Sequence, residues 1–335
     1  MGHKYFVSAP MSDAFLVLAQ SEGGLSCFFM PRWCPDGTRN AMQIQRLKNK
    51  MGNVANASAE TELRGAYAVM VGEEGRGVRN IIDMVAMTRF DCMIGSAAGM
   101  RQATVQAVHH CRYRKAFGKR LIEQPLMTNV LADLALESEA ALALSMRIAT
   151  ALEQQAEVES QRHLLRLGTI LGKYWICKRV PGHAYEAMEC IGGSGVMEDS
   201  IMPRLFRESP VNAIWEGSGN VQCLDLLRVL HKEPAVLESY FDEVTAAIGQ
   251  NDHLDAAVNG LKKNFADTGS AEYRARATVE TMALVLQGAL LVRQAPAPVA
   301  DAFCVSRLCR GAHLYGTLPK GLDCGAIIAR ALPES

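Results

Sequence analysis

The sequence predicts a mainly α protein: a partial β-domain at the N-terminus, then a four-helix bundle, then a helical extension. Three observations lead there. Aromatic residues make up only 6% of the chain while methionine numbers 16, a balance that suits packed helices better than a β-sandwich. Short apolar runs that read as strands are confined to roughly the first seventy residues. Beyond about Arg79 a helical period takes over. At 335 residues and 36.5 kDa the chain has room for about two folding units and a sizeable core.

Phe15-Leu16-Val17-Leu18-Ala19 and Leu25-Ser26-Cys27-Phe28-Phe29-Met30 read as strands around Ser21-Glu22-Gly23-Gly24, a hairpin with glycine in its turn. A further strand is expected near Ala66 to Val71, and two or three strands amount to part of a sheet. Gly72-Glu73-Glu74-Gly75-Arg76-Gly77 breaks the pattern. A first helix of roughly 30 residues follows, with Ile81, Met84, Val85, Cys92 and Gly95 on one face. Its run Gly95-Ser96-Ala97-Ala98-Gly99 admits a close neighbour.

Pro125 suits the first turn of a second helix, whose stripe is Met127, Val130, Leu131, Leu134, Ala141, Leu142, Ile148 and Leu152. A third runs from about Gln161 towards Cys190 with a kink expected at Pro181. The fourth follows Gly219 with Val221, Leu224 and Leu227 inward, and four long antiparallel helices make a bundle. Past His231-Lys232-Glu233-Pro234 the helical pattern weakens and is interrupted by Gln294-Ala295-Pro296-Ala297-Pro298. The expected divisions are 1–73, 74–232 and 233–335.

Lys+Arg and Asp+Glu number 35 each, so no global field recruits nucleic acid or an anionic membrane. From Pro234 onward 9 basic residues face 11 acidic ones, which is not a basic arm. Ten cysteines lie scattered without CxxC or HxxH spacing; no metal site is expected, and reduced thiols fit a cytoplasmic protein. Met1-Gly2-His3-Lys4-Tyr5-Phe6 has no apolar signal core, and the uncharged run Thr281 to Val292 is too short to span a bilayer, so no membrane association is expected.

The segment Asn212-Ala213-Ile214-Trp215-Glu216-Gly217-Ser218-Gly219-Asn220 sets one carboxylate between apolar bulk and glycines just before a helix. Burial against Ile214 and Trp215 is the setting of a general base, and the glycines let backbone amides approach a ligand. The plain reading is a solvated loop residue beside a helix capped by Ser218. Arg112, Arg114, Lys115, Lys119 and Arg120 surround Ala116-Phe117-Gly118 where the first long helix ends. Cations there complement the helix dipole, and a guanidinium beside an exposed Phe also suits a nucleotide pyrophosphate. His109-His110-Cys111 are consecutive and point to different sides, which disfavours joint metal ligation.

Arg114-Lys115-Ala116-Phe117-Gly118, Glu189-Cys190-Ile191-Gly192-Gly193 and Trp215-Glu216-Gly217-Ser218-Gly219-Asn220, in that order and spacing, resemble the flavin-dependent acyl-CoA dehydrogenase family over about Tyr5 to Leu230. Trp215 in place of the usual Tyr, the run Met87-Thr88-Arg89-Phe90-Asp91-Cys92 and the C-terminal extension resemble its DNA alkylation-response branch. The resemblance implies FAD, a tetramer, and a middle β-domain preceding a helical bundle. It begins within the middle domain, so the chain is expected to lack the family's N-terminal helices.

By the same resemblance Glu216 takes the place of the catalytic base, removing the α-proton of an acyl-CoA thioester while the β-hydride passes to flavin N5. The family's alternative position for the base is filled by Thr88, before Arg89. Tyr5, Phe6 and Val7 fall where a Trp-x-Thr segment meets the flavin, with Ser8 standing in for the hydroxyl that Val7 lacks. Arg114 and Phe117 match residues that hold the FAD of a neighbouring subunit. Gln124, Gly192, Gly193, Asn212, Ser218 and Asn220 complete the implied cofactor contacts, and Ser8 and Arg89 the substrate contacts. An electron-transfer flavoprotein is the implied redox partner. The alternative is a DNA-binding flavoprotein that protects against alkylation with residual dehydrogenase activity. There a tetramer aligns Arg307, Arg310 and Lys320 on double-stranded DNA.

Overall fold

Roughly the first seventy residues build strands β1 (Gly2–Ser8), β2 (Ala14–Ser21), β3 (Gly24–Pro31), β4 (Met42–Leu47), β5 (Ser58–Leu63) and β6 (Val69–Val71). This is a computed structural model, which describes residues 1–266, 270–309 and 314–332. The chain divides into two units, Met1–Met87 and Thr88–Ser335.

In the first unit, two antiparallel sheets form, each three-stranded, ordered β1-β5-β4 and β2-β3-β6. The expected hairpin is β2–β3, closing at Ser21↔Gly24, where Gly24 takes φ +113, a conformation that favours glycine. The strand expected near Ala66 to Val71 is the short β6, paired with β3. More strands form than the two or three expected, because β4 and β5 lack the apolar runs that mark β2 and β3. Met42-Gln43-Ile44-Gln45-Arg46-Leu47 is an exposed edge, and Ser58-Ala59-Glu60-Thr61-Glu62-Leu63 is polar although central. Both outer strands slip register against β5, between Lys4 and Val7 and between Ile44 and Arg46. The bulge in β1 leaves Tyr5 and Phe6 both exposed.

Helix α1 (Gly77–Tyr113) is 37 residues long; it starts in the first unit and runs on into the second. Of the face expected inward, Cys92 is buried with Phe90, Met93, Ala97 and Met100 among its neighbours, Ile81 and Val85 are half-buried, and Met84 and Gly95 are exposed. A helix that serves two units does not keep one stripe inward throughout, which corrects the expected face at Met84 and Gly95. Strands β7 (Lys115–Ala116) and β8 (Lys119–Arg120) form a small hairpin before α2 (Pro125–Gln154). Leu142, expected inward on α2, is exposed.

Helix α3 (Glu159–Ile191) continues through Pro181, which removes one helical hydrogen bond, and ends in the 3₁₀ turn Gly192–Val196. It is buried on nearly all sides. A Cβ at Gly168 would lie 2.1 Å from Ile148 Cδ1, and one at Gly172 would lie 2.0 Å from Met93 Sδ, so these glycines let α2 and α1 close on α3.

Helices α4 (Met202–Glu208) and α5 (Gly219–Lys232) frame the loop that carries Glu216. Helix α5 buries Cys223, Leu226 and Val229, with polar Gln222 and Asp225 beside them, and exposes Val221 and Leu224. The face expected from hydrophobicity is rotated because two polar side chains are drawn inward to partners described below.

Beyond residue 232 come α6 (Ala235–Thr245), α7 (Asp252–Ala266), α8 (Ala271–Gln294), α9 (Ala297–Phe303) and α10 (Cys324–Ala329). Helix α8 packs against α2, α3 and α5, and one hydrophobic cluster runs from Phe90 to Ala331. The expected uncharged run Thr281 to Val292 lies in the C-terminal half of α8. That helix is long and apolar enough to cross a membrane by length and composition, but 67% of its apolar stretch is buried inside the fold.

Candidate active site

The loop of residues 209–218 places Glu216 at φ +58 and Gly217 at φ +99. A left-handed glutamate persists only where its surroundings enforce it. Here buried donors from three helices supply the enforcement. Lys173 of α3, 1% exposed, donates through Nζ to the carbonyls of Asn212 (2.6 Å), Trp215 (2.8 Å) and Gly217 (3.0 Å). Arg89 of α1 donates through Nε to the Glu216 carbonyl at 2.9 Å, and Gln222 Nε2 donates to the Gly217 carbonyl at 3.0 Å.

Asp225 anchors Arg89 in turn, accepting from its Nη1 at 2.7 Å and from Arg166 Nη2 at 2.8 Å. Burial alone would raise the Asp225 carboxyl, but Arg166 and Arg89 outweigh it and hold the group below its ordinary value. These bonds account for the polar face that α5 turns inward.

The Glu216 carboxylate is half-buried, and its Oε2 accepts from Thr88 Oγ1 at 2.8 Å. Ile214, expected to bury it, is instead 67% exposed. Trp215 is half-buried, with its indole Nε1 donating to Asn212 Oδ1 at 3.0 Å. The result is an accessible carboxylate with one oxygen fixed by a hydroxyl and with its backbone held by buried cations.

The other expected residues fall into groups. In the first unit, Tyr5 and Phe6 stack edge-on with centroids 5.1 Å apart, and Lys48 Nζ sits 2.9 Å from the Tyr5 centroid. Phe6, Val7 and Ser8 help to line a cavity of about 390 Å³ with Leu16, Leu18 and Met30.

In the second unit, Arg114, Phe117 and Gln124 gather at the β7–β8 hairpin. Phe117 occupies its tip at φ +53 and 95% exposed, and Gln124 Nε2 donates to the Ala116 carbonyl at 3.2 Å. Gly192 closes α3 at φ +70, and a Cβ at Gly192 or Gly193 would meet nothing within 4 Å, so the backbone there is open to approach. Asn212 Nδ2 donates to Ser96 Oγ at 3.1 Å. Ser218 is the exposed N-cap residue of α5, but its side chain makes no cap bond, so the plain capping role does not hold. Asn220 Oδ1 accepts from Arg276 Nη1 at 3.4 Å.

Arg307, expected to line up outward with Arg310 and Lys320, is buried instead. It bonds to Asp133 and lies 3.1 Å from Glu137, both on α2; Lys320 is exposed, and Arg310 lies outside the described residues. Trp175 Nε1 donates to Glu137 Oε1 at 3.1 Å, and Arg179 Nη2 lies 3.2 Å from Glu137 Oε2. His183 on α3 bonds to Thr104 Oγ1 at 2.8 Å and to the Tyr315 hydroxyl at 3.1 Å.

Residues 75–231 match the family model described as acyl-CoA dehydrogenase, C-terminal domain. The chain is 46% identical over 304 residues to the putative acyl-CoA dehydrogenase AidB of Escherichia coli (strain K12), covering 91% of this chain and 56% of that protein. It is 31% identical over 326 residues to acyl-CoA dehydrogenase family member 11 of Caenorhabditis elegans, covering 88% and 53%. The crystal structure of C. elegans ACDH-11 in complex with C11-CoA matches with a TM-score of 0.85 at 29% identity, over 92% of this chain and 58% of that one. A Bacillus anthracis acyl-CoA dehydrogenase complexed with FAD matches with a TM-score of 0.70 at 17% identity over 90% and 59%, a likeness of fold alone. The chain spans about half the length of the curated relatives it matches.

Proposed function

Because this chain belongs to the acyl-CoA dehydrogenase family, we propose that it serves FAD-dependent oxidation of acyl-CoA thioesters with Glu216 as the base. The observation that carries this reading is the Glu216 carboxylate, held by Thr88 on a loop whose backbone Arg89 and Lys173 fix. The C11-CoA bound by the C. elegans relative supports a fatty thioester as the substrate class.

The residues present fit the cofactor. Exposed rings at Tyr5 and Phe6 offer stacking surface for the flavin, with Val7 and Ser8 following them in the strand. Arg114 beside the exposed Phe117 suits the pyrophosphate and adenine of FAD on another copy of the chain, which also supports a tetramer. Gln124, Gly192, Gly193, Asn212, Ser218 and Asn220 supply an approachable backbone and polar contacts. Bound FAD supplies a flavin that accepts the β-hydride and passes electrons to a partner such as an electron-transfer flavoprotein.

The protein's own part is proton chemistry. An α-proton of a thioester becomes acidic when donors hold the carbonyl oxygen, and the Glu216 backbone N–H is such a donor. The Glu216 carboxylate, oriented through Oε2 by Thr88, takes that proton. Arg89 serves the loop through the Glu216 carbonyl rather than the thioester. Glu216→Gln is expected to lower steady-state oxidation of acyl-CoA by about 10²–10⁴-fold with FAD content unchanged. Turnover equal to that of the unsubstituted chain contradicts the reading.

A further inference from the structure

We propose that Lys173 is a positioning residue for this proton transfer, its buried ammonium fixing the peptide plane that enters Glu216 and the one that leaves Gly217, so that the Glu216 N–H and carboxylate keep their aim at a bound thioester. The inference rests on Glu216 being the base. A lysine ammonium has three N–H donors, and Lys173 gives them to three loop carbonyls, those of Asn212, Trp215 and Gly217. Two of these flank Glu216 directly.

In a planar trans peptide the C=O and N–H point in opposite directions. A Trp215 carbonyl drawn onto Lys173 therefore turns the Glu216 N–H away from the helix core, and a Gly217 carbonyl drawn the same way turns the Ser218 N–H likewise. Arg89 does the same for the peptide between them, through the Glu216 carbonyl. The result is a run of N–H groups sharing one outward sense around a left-handed residue, the arrangement that favours a developing negative charge.

An ammonium buried in mid-helix is costly unless its donors are satisfied, and an apolar side chain in its place would take this donor from the Asn212 and Trp215 carbonyls and leave Gly217 with Gln222 alone. The groups facing Lys173 are Cys92 and Arg89 from α1, Cys177 on its own helix, and Glu216 on the loop. Burial pulls the lysine below its ordinary value.

The test uses the FAD-loaded full chain and follows exchange of the α-proton of an acyl-CoA with D₂O. Lys173→Met is expected to slow this exchange by about 10²-fold, with acyl-CoA affinity and FAD content unchanged. In the FAD-free chain, the segment 212–218 is expected to take up deuterium into its backbone faster than in the unsubstituted protein, with α2 unaltered. If the Met variant does not fold, Lys173→Gln keeps an amide donor and carries the same measurements, with exchange between the two extremes. Unslowed exchange in the Lys173 variant, while Glu216→Gln is silent, overturns the positioning role and leaves the base standing. Unslowed exchange in Glu216→Gln overturns both.

Discussion

Thr88 and Glu216 lie 128 residues apart in sequence, yet their side chains meet at 2.8 Å. A hydroxyl that fixes one carboxylate oxygen leaves the other oriented for proton transfer. Thr88→Val is expected to lower kcat/KM about five- to tenfold, the effect of one hydrogen bond, and Thr88→Ser to restore it. Steady-state kinetics on the two variants checks this, and equal losses in both contradict it. The run from Trp215 to Asn220 was legible in the sequence because a carboxylate, glycines and a helix start sit side by side there. Thr88 and Lys173 were not, since their partnership with the loop exists only after α1 and α3 pack. One signal was present: Lys173 interrupts the buried run Leu171-Gly172-Lys173-Tyr174-Trp175, where an ammonium must have a specific use.

At the scale of elements, the four long helices α1, α2, α3 and α5 were legible in existence, and misread in orientation where polar groups go inside. Helix α5 turns Gln222 and Asp225 inward because Gly217 and Arg89 meet them there, a bias that hydrophobic periodicity does not see. Strand β5 is central but polar, so its place depends on β1 and β4 rather than on its own pattern. Helix α2 hides Asp133 and Glu137 against Arg307. Arg307→Met leaves Asp133 without that partner and is expected to cost about 3–5 kcal/mol in urea unfolding. A loss within experimental error contradicts the pairing.

The same layer predicts acid sensitivity. Burial drives the His183 imidazole from its ordinary 6.5 down to about 3, so between those values the unfolded chain binds the extra proton. Stability present above the ordinary value is therefore lost as pH falls through this window. Burial would raise Glu137, but Arg179 and Arg307 pull it from 4.5 to about 2, which adds a loss in the same direction at lower pH. The thermal midpoint is expected to drop between about pH 7 and about pH 5, and His183→Gln to flatten that drop. An unchanged slope in the variant contradicts the assignment.

At the scale of the molecule, the core of the second unit does not stop where the bundle ends, because α8 fills space among α2, α3 and α5. A chain ended at residue 232 is expected to expose this apolar surface and bind a hydrophobic dye, whereas a native-like melting transition without dye binding contradicts a shared core. Phe117, almost wholly exposed on its hairpin, is the side chain assigned to another copy. Phe117→Asp is expected to shift sedimentation towards smaller species, and an unchanged profile contradicts that assignment. The central claim, that Glu216 starts the oxidation of a thioester, is tested most directly by mixing the FAD-loaded protein with a fatty acyl-CoA in the absence of oxygen and recording flavin absorbance. The account predicts bleaching in the unsubstituted protein and none in Glu216→Gln carrying the same FAD. Bleaching at an equal rate in both contradicts it.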